Sequence, residues 1–242
     1  MGGWQYFNDH HWRDDKKGQV LASIDKVIAI YDAEKKRLTI AEESAMERGM
    51  LKEAKGHAIK RGLIIKRLIQ LHTVAYKKNV LTLASSGVNS LATTGDDWDS
   101  HPMLLAVRNG CIDLETGHFF DGRPEDMLKS VCPTKWADIN AIPQAWIDFL
   151  HGSLEGDQEI IDYVQRLLGY AITGLTHENI YPILWGEHGQ NGKGTLIETV
   201  KEILGQDLAV KLASEFLMQR GITKSSGSPD ADLYSLRGAR VA

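Results

Sequence analysis

The sequence contains few cysteines and no long uninterrupted apolar run. Its 242 residues include two cysteines, Cys111 and Cys132, and neither belongs to a C-x-x-C pair or lies near paired histidines. This usage argues against a disulfide framework and a structural zinc site, and it is typical of a reducing cytoplasm. The apolar run GLIIKRLIQL is broken by Lys66 and Arg67. We therefore expect no membrane-spanning helix and no membrane partner.

The chain also lacks a large excess of charge of either sign. Its 28 Lys and Arg residues stand against 32 Asp and Glu residues, which excludes a polycation built to coat nucleic acid. The average conceals a basic segment, residues 46–79, with nine Lys or Arg and two Glu. The candidates for DNA contact in this segment are Lys60, Arg61, Lys66 and Arg67. A solvated helix surface is the alternative, because no aromatic platform for base stacking is interleaved with these cations.

The spacing of apolar residues predicts helices in two regions. Apolar positions recur at helical intervals over residues 20–80 and again over residues 144–176. In the first region Gly56 and Gly62 weaken the prediction of an unbroken helix, because glycine is a poor helix former.

Between and after these helices the pattern changes to that of strands. The stretch LLAVRNGCIDLETGHFF alternates short apolar runs with the turn pairs Asn109-Gly110 and Thr116-Gly117, which predicts a small β-meander. The run IYPILW, residues 180–185, is a further candidate strand, although Pro182 weakens it. The polar stretch at 224–232 is expected to be a loop.

The stretch WGEHGQNGKGTLIE, residues 185–198, has most features of a phosphate-binding loop. A candidate strand precedes it, it is rich in glycine, and an amphipathic helix follows. Lys193 would lie at the start of that helix, where a cation is unfavourable unless an anion is bound beside it. The G-x-x-x-x-G-K-S/T pattern fails twice, because Glu187 replaces the first glycine and Gly194 the hydroxyl residue. A glycine-rich surface turn with an incidental lysine is the alternative.

Four stretches resemble one known family. GQNGKGT resembles the loop of the phage and plasmid primase-helicases, superfamily-three helicases of the AAA+ class. WQYFNDHHWRDD and LLAVRNGCIDLETGHF are similar to the start and the hairpin of the domain that precedes the helicase, which is shared with poxvirus primase-helicases. QRLLGYAITG resembles the helical lead-in to the ATPase core. The stretches keep the family order and span nearly the whole chain.

This resemblance implies an α/β fold in three parts. Residues 1–143 would be a mainly helical helicase-preceding domain with a small β-meander, residues 144–177 a helical collar, and residues 178–242 the first part of a P-loop AAA+ domain. It also implies ATP and Mg²⁺ as cofactors, DNA as a partner and assembly of the full-length protein into a ring. The expected place of action is the cytoplasm of a bacterial host, with a phage or prophage origin.

The resemblance further implies a role for each loop residue. Lys193 would be the catalytic lysine that contacts the β- and γ-phosphates of ATP. The metal role would fall on Thr195, because Gly194 has no hydroxyl. The nucleotide-binding residues would be Gly189, Gln190, Asn191, Gly192, Lys193, Gly194 and Thr195.

The sequence ends with DADLYSLRGARVA, where the family continues into a strand whose acidic residues hold Mg²⁺. We expect the chain to stop before this acidic Walker B strand, as a fragment of a replicative DNA helicase that binds nucleotide but hydrolyses it negligibly. The alternative is a non-enzymatic DNA-binding or ring-assembly module with a vestigial loop. A P-loop small-molecule kinase is disfavoured, because such kinases usually begin with their loop.

Overall fold

The computed structural model describes residues 3–178, 180–187, 189–212, 236 and 238–242. Contacts divide the chain into two compact units. One unit holds the chain up to Tyr6 and Arg13–Thr94, and the other holds Phe7–Trp12 and Gly95–Ala242. The N-terminal hairpin, formed by β1 (Gln5–Asn8) and β2 (His11–Asp14), contributes residues to both units.

The first unit consists mainly of three helices, α1 (Gln19–Glu47), α2 (Leu51–Leu71) and α3 (Val74–Ala84), which confirms the helical prediction for this region. Its core joins Ile24 and Ile28 of α1 to Leu68 and Leu71 of α2. The helix α2 continues through Gly56 and Gly62. The cost of a glycine in a helix, about 1 kcal/mol relative to alanine, is small beside the stabilisation that packing of an apolar face provides.

Side chains beside the N-termini of α1 and α3 explain where these two helices begin. The carboxylate of Asp15 accepts hydrogen bonds from the N–H groups of Gln19 and Val20, each at 2.8 Å. These backbone donors, Val20 first, lower the pKa of Asp15. The break between α2 and α3 lies at Thr73, whose hydroxyl accepts a hydrogen bond from the N–H of Tyr76 at 3.3 Å. Such side-chain acceptors satisfy N–H groups that have no partner within the helix.

The second unit contains a four-stranded sheet with the strand order β5-β4-β3-β6. The strands β3 (Leu104–Val107) and β4 (Gly110–Asp113) are antiparallel, and β5 (Phe119–Phe120) pairs antiparallel with β4, which confirms the predicted β-meander. The strand β6 (Val131–Cys132) pairs in parallel with β3. The sequence did not predict β6, because this strand has no turn that joins it to its partner β3 and so shows no local hairpin pattern.

The second unit also contains three helices, α4 (Gln144–Ser153), α5 (Gln158–Ala171) and α6 (Lys193–Leu204), as the apolar spacing predicted. One core cluster joins α4 to α5 through Leu150, Ile161 and Val164. A second cluster joins the sheet to the end of α6, with Leu105 packed in the same group as Leu204. The sheet and α6 thus share one core within this unit. The domain boundaries at residues 143 and 177 stay a prediction.

Residues 180–185 are not a strand, so the strand predicted before the loop is wrong for the described chain. The segment is irregular, and Tyr181, Ile183 and Trp185 are 71%, 77% and 82% exposed. Pro182 cannot donate to a sheet ladder. Outside the two sheets, the single bridge among the described residues joins Ala209 to Val241, so this part of the chain gives the segment no partner strand. The predicted loop at 224–232 lies outside the described residues.

Within the described ranges, no helix combines the length and the apolar character needed to cross a membrane.

Candidate functional site

The loop before α6 surrounds an open cavity of about 450 Å³. Ligand cavities in proteins have volumes of about 300–1,000 Å³, so this one is of ordinary size for a small molecule. Seven residues line it: Gly189, Gln190, Asn191, Gly192, Lys193, Gly194 and Thr195. The structure thus brings together the seven residues that the sequence assigned to a nucleotide. Their role as nucleotide ligands stays a prediction.

The start of α6 presents backbone donors to this cavity. The first bond of the helical ladder runs from the N–H of Leu196 to the carbonyl of Gly192 at 2.9 Å. The N–H groups of Lys193, Gly194 and Thr195 precede this bond, and N–H groups in the first turn of a helix have no partner within the helix. Together with the positive end of the helix dipole, such donors favour an anion.

Gly192 fixes the loop against the end of α4. Its φ of +81° lies in the left-handed region, which residues with a side chain rarely adopt. An added Cβ would lie 2.4 Å from the hydroxyl oxygen of Ser153 and 3.3 Å from the Cε2 atom of Phe149. Glycine is therefore required here for its conformation and for its lack of a side chain.

The amine of Lys193 has a partner inside the loop. Its Nζ donates a hydrogen bond to Oδ1 of Asn191. The same two side chains lie against Gly186, where an added Cβ would fall 1.9 Å from Nδ2 of Asn191 and 2.9 Å from Nζ of Lys193. The sequence pattern missed Gly186, because it stands one residue before the position of the first glycine. The signal in the sequence that could have identified Gly186 was a glycine one residue away from the expected position.

The two departures from the loop pattern have different surroundings. Thr195 is exposed and is among the residues that line the cavity. Glu187 is exposed and is not among the residues that line the cavity. No group of three or more His, Cys, Asp or Glu residues that could hold a metal occurs among the described residues. The metal role of Thr195 stays a prediction.

The helix α6 is anchored at both ends. Near its start, Leu196 packs against the α4–α5 cluster around Leu150. At its end, Leu204 is 2% exposed and belongs to the cluster that includes Leu105 of β3. The loop is therefore attached to a helix held by two apolar clusters, and a rigid support of this kind is what a binding loop requires.

The four candidate DNA-binding cations of α2 differ in exposure and in contacts. The side chains of Lys60, Lys66 and Arg67 are exposed. Arg61 instead forms a paired hydrogen-bonded contact with Glu42 of α1, at 2.9 Å from Nε and 3.3 Å from Nη2. Arg61 is thus engaged in packing the helical unit, whereas the other three cations remain available to a partner.

Comparison with known proteins relates the chain to viral proteins. Residues 1–152 match the family described as "D5 N terminal like". Three similar proteins carry the name "Putative helicase". The one from Acanthamoeba polyphaga mimivirus is 27% identical over 243 residues, and that from Invertebrate iridescent virus 3 is 27% identical over 143 residues. The one from Frog virus 3 (isolate Goorha) is 43% identical over 51 residues.

These relatives are much longer than the chain. The match to the mimivirus protein covers 98% of this chain and 24% of the relative. The other two matches cover 58% and 21% of this chain, and 15% and 5% of the respective relatives. The chain therefore spans about a quarter or less of the curated proteins that it resembles.

Proposed function

The chain belongs to the D5 N terminal like family, and from this premise and the loop geometry we propose that it is part of a replicative DNA helicase that binds ATP at residues 189–195. The names of the three viral relatives support a helicase-related role. The observation that carries the proposal is the loop cavity, which combines glycine-rich backbone, Lys193 and the start of a firmly packed helix.

Each part of the loop has a task in this proposal. The N–H groups at the start of α6 would hold phosphate oxygens, and Lys193 would neutralise their charge. The hydroxyl of Thr195 would contact Mg²⁺ bound to the same phosphates. ATP, when bound, supplies the phosphoryl group whose transfer to water drives helicase movement. In this proposal the described residues would bind and orient ATP, and positioning is a main contribution that a protein makes to phosphoryl transfer.

The loop fits a phosphate group in charge and shape. An amine within a cavity lined by glycines gives an anion both a counter-charge and close access to backbone donors. Glu187, the carboxylate that precedes Lys193 in the stretch 185–198, lies outside the set of lining residues.

Equilibrium titration with Mg²⁺-ATP tests the proposal. We expect the wild-type chain to bind and Lys193→Ala to lose at least tenfold in affinity, about what one hydrogen bond to a charged group contributes. Lys201→Ala is a matched control, because Lys201 lies on the same helix but pairs with Glu198 in its last turn. Equal affinities of wild type and Lys193→Ala would contradict the proposal.

We further propose that the exposed cations of α2 contact DNA. The triple variant Lys60→Ala, Lys66→Ala and Arg67→Ala is expected to bind DNA more weakly, with a smaller dependence on salt, because fewer phosphate contacts release counterions. Lys17→Ala with Lys26→Ala and Lys36→Ala, at exposed positions outside α2, is the control because it removes the same three charges. A triple variant with unchanged affinity and salt dependence would exclude this surface.

A second candidate function is a DNA-binding or ring-assembly module with a vestigial loop. The irregular and exposed segment 180–185 favours it, because a functional phosphate loop usually follows a buried strand. Absence of ATP binding in both wild type and Lys193→Ala, together with intact DNA binding, would favour this module.

A further inference from the structure

Gly186 occupies a special place beside the loop. An added Cβ would come within 1.9 Å of Asn191 Nδ2 and 2.9 Å of Lys193 Nζ, distances far below ordinary contact. At Gly189 and Gly194, by contrast, an added Cβ would meet no heavy atom within 4 Å. Gly186 is thus the glycine whose missing side chain makes room for the Asn191–Lys193 pair. Gly189 does not have this steric role, although it belongs to the stretch that resembles the family's loop.

We infer that Gly186 and Asn191 are positioning residues for the amine of Lys193. Gly186 leaves the space that the Asn191 amide occupies, and Oδ1 of Asn191 accepts the hydrogen bond that holds Nζ of Lys193. The inference rests on the proposed nucleotide site, because it concerns how the lysine of that site is held before phosphate arrives. It also accounts for the glutamate at 187, since the steric requirement for glycine lies one residue earlier.

The amide group of Asn191 is chemically suited to position the amine of Lys193. The amide oxygen of Asn191 carries no net charge, so it orients the ammonium group without competing strongly with a phosphate oxygen. A carboxylate at the same place would form an ion pair with the lysine, and phosphate would then have to displace it. Holding the amine in one place before binding lowers the entropy cost of binding.

The steric conflict at position 186 involves movable groups. The atoms that a Cβ would meet are the ends of two flexible side chains rather than backbone. Gly186→Ala should therefore fold as wild type does while displacing Asn191 and Lys193. This separates an effect on the lysine from an effect on the fold, which urea denaturation can check for each variant.

Titration with Mg²⁺-ATP measures the consequence for binding. We expect about tenfold weaker binding for Gly186→Ala, the equilibrium equivalent of one hydrogen bond to a charged group. Gly169→Ala, in α5 and outside the loop, is the control and should bind within about twofold of wild type, since its Cβ also enters open space. In an Asn191→Ala background, Gly186→Ala should add little, because the nearest atom that its Cβ meets is gone.

A second readout needs no nucleotide. The rate at which acetic anhydride acetylates Lys193, followed by peptide mass spectrometry, reports how firmly its amine is held. We expect faster acetylation in Gly186→Ala and Asn191→Ala, and wild-type rates in Gly189→Ala. Asn191→Asp should keep the wild-type protection, because it retains an oxygen acceptor for Nζ.

The two measurements separate the two ideas. If wild type fails to bind ATP, the proposed function is wrong, while the acetylation pattern still supports or overturns the positioning role. If Gly186→Ala and Gly189→Ala show the same acetylation rate of Lys193, the positioning role is overturned. A Gly186→Ala effect on ATP binding that persists in full in the Asn191→Ala background would also overturn it.

Discussion

The thiol of Cys132 donates a hydrogen bond to the carbonyl oxygen of Ile203 at 2.9 Å and so connects β6 to the last turn of α6. The hydroxyl of Thr134 donates to the same oxygen, also at 2.9 Å. The last carbonyls of a helix have no partner within the helix. Both side chains therefore donate to one of these carbonyls, that of Ile203. It lies at the end of α6 opposite the candidate nucleotide loop.

Because the two donors serve one acceptor, their removal should not be additive. We expect Thr134→Val alone to have a small effect on the free energy of unfolding, since Cys132 still satisfies the carbonyl. Combining Thr134→Val with Cys132→Ala should cost about 0.5–1 kcal/mol more than the sum of the single changes. Urea denaturation of wild type, the two single variants and the double variant gives this coupling energy. The packing loss at Cys132 cancels, because Cys132→Ala causes it both with and without Thr134→Val. Additivity within about 0.3 kcal/mol would mean that another group satisfies the carbonyl.

Arg240 joins three parts of the second unit through its guanidinium group. It donates to the carbonyls of Leu104 at 2.6 Å, Ile172 at 2.7 Å and Pro102 at 2.9 Å. Burial removes water from the guanidinium group and so lowers the pKa of Arg240. The three carbonyls replace part of the hydration that the group loses. We expect Arg240→Met to lower the free energy of unfolding by about 3 kcal/mol, because three backbone acceptors, two of them partly buried, lose a charged donor.

Two comparisons make the Arg240 experiment specific. Arg240→Lys should recover less than half of the loss, because a single ammonium cannot reproduce the planar fork of donors. Arg166→Met, at an exposed position of α5, should change stability by no more than about 0.5 kcal/mol. Equal denaturation midpoints for Arg240→Met and Arg166→Met would show that the three contacts contribute nothing.

Cys111 should be unreactive in the folded protein. Burial raises the pKa of its thiol to about 12 from the ordinary 9.0, and the thiolate is the reactive form. At pH 8 we expect iodoacetamide to leave Cys111 unmodified in the native chain and to alkylate it in urea, as peptide mass spectrometry would show. Rapid alkylation of native Cys111 would contradict its burial.

The same raised pKa predicts a change of stability in alkali. The folded state favours the neutral thiol, so its contribution is fully present below pH 9 and is lost as the pH rises from 9 toward 12. Wild type should therefore lose more stability over this range than Cys111→Ala does. Parallel curves of urea midpoint against pH would show that Cys111 is not responsible.

The sequence predicted the features that depend on local patterns. Helices with an apolar stripe and the hairpin around Asn109-Gly110 appear as expected, because periodicity and turn chemistry are local properties. The strand β6 pairs in parallel with a strand far away along the chain, which no local pattern reveals. At residues 180–185 an apolar run resembled a strand but has no described partner. In the loop, spacing identified Lys193, whereas the room that Gly186 leaves for its amine depends on how the loop folds.

Gly122 has no space for a side chain. An added Cβ would lie 2.2 Å from the carbonyl oxygen of His10 and 2.8 Å from Sγ of Cys111. The first of these atoms belongs to the backbone and cannot move away cheaply, so we expect Gly122→Ala to lower the free energy of unfolding by about 1–3 kcal/mol. Gly169→Ala, in α5, is the control, because its Cβ enters open space and should stabilise the helix by up to about 1 kcal/mol. Opposite signs of the two changes in urea midpoint are the expected result. A Gly122→Ala chain as stable as wild type would show that the turn of the N-terminal hairpin is not held against Gly122 in solution.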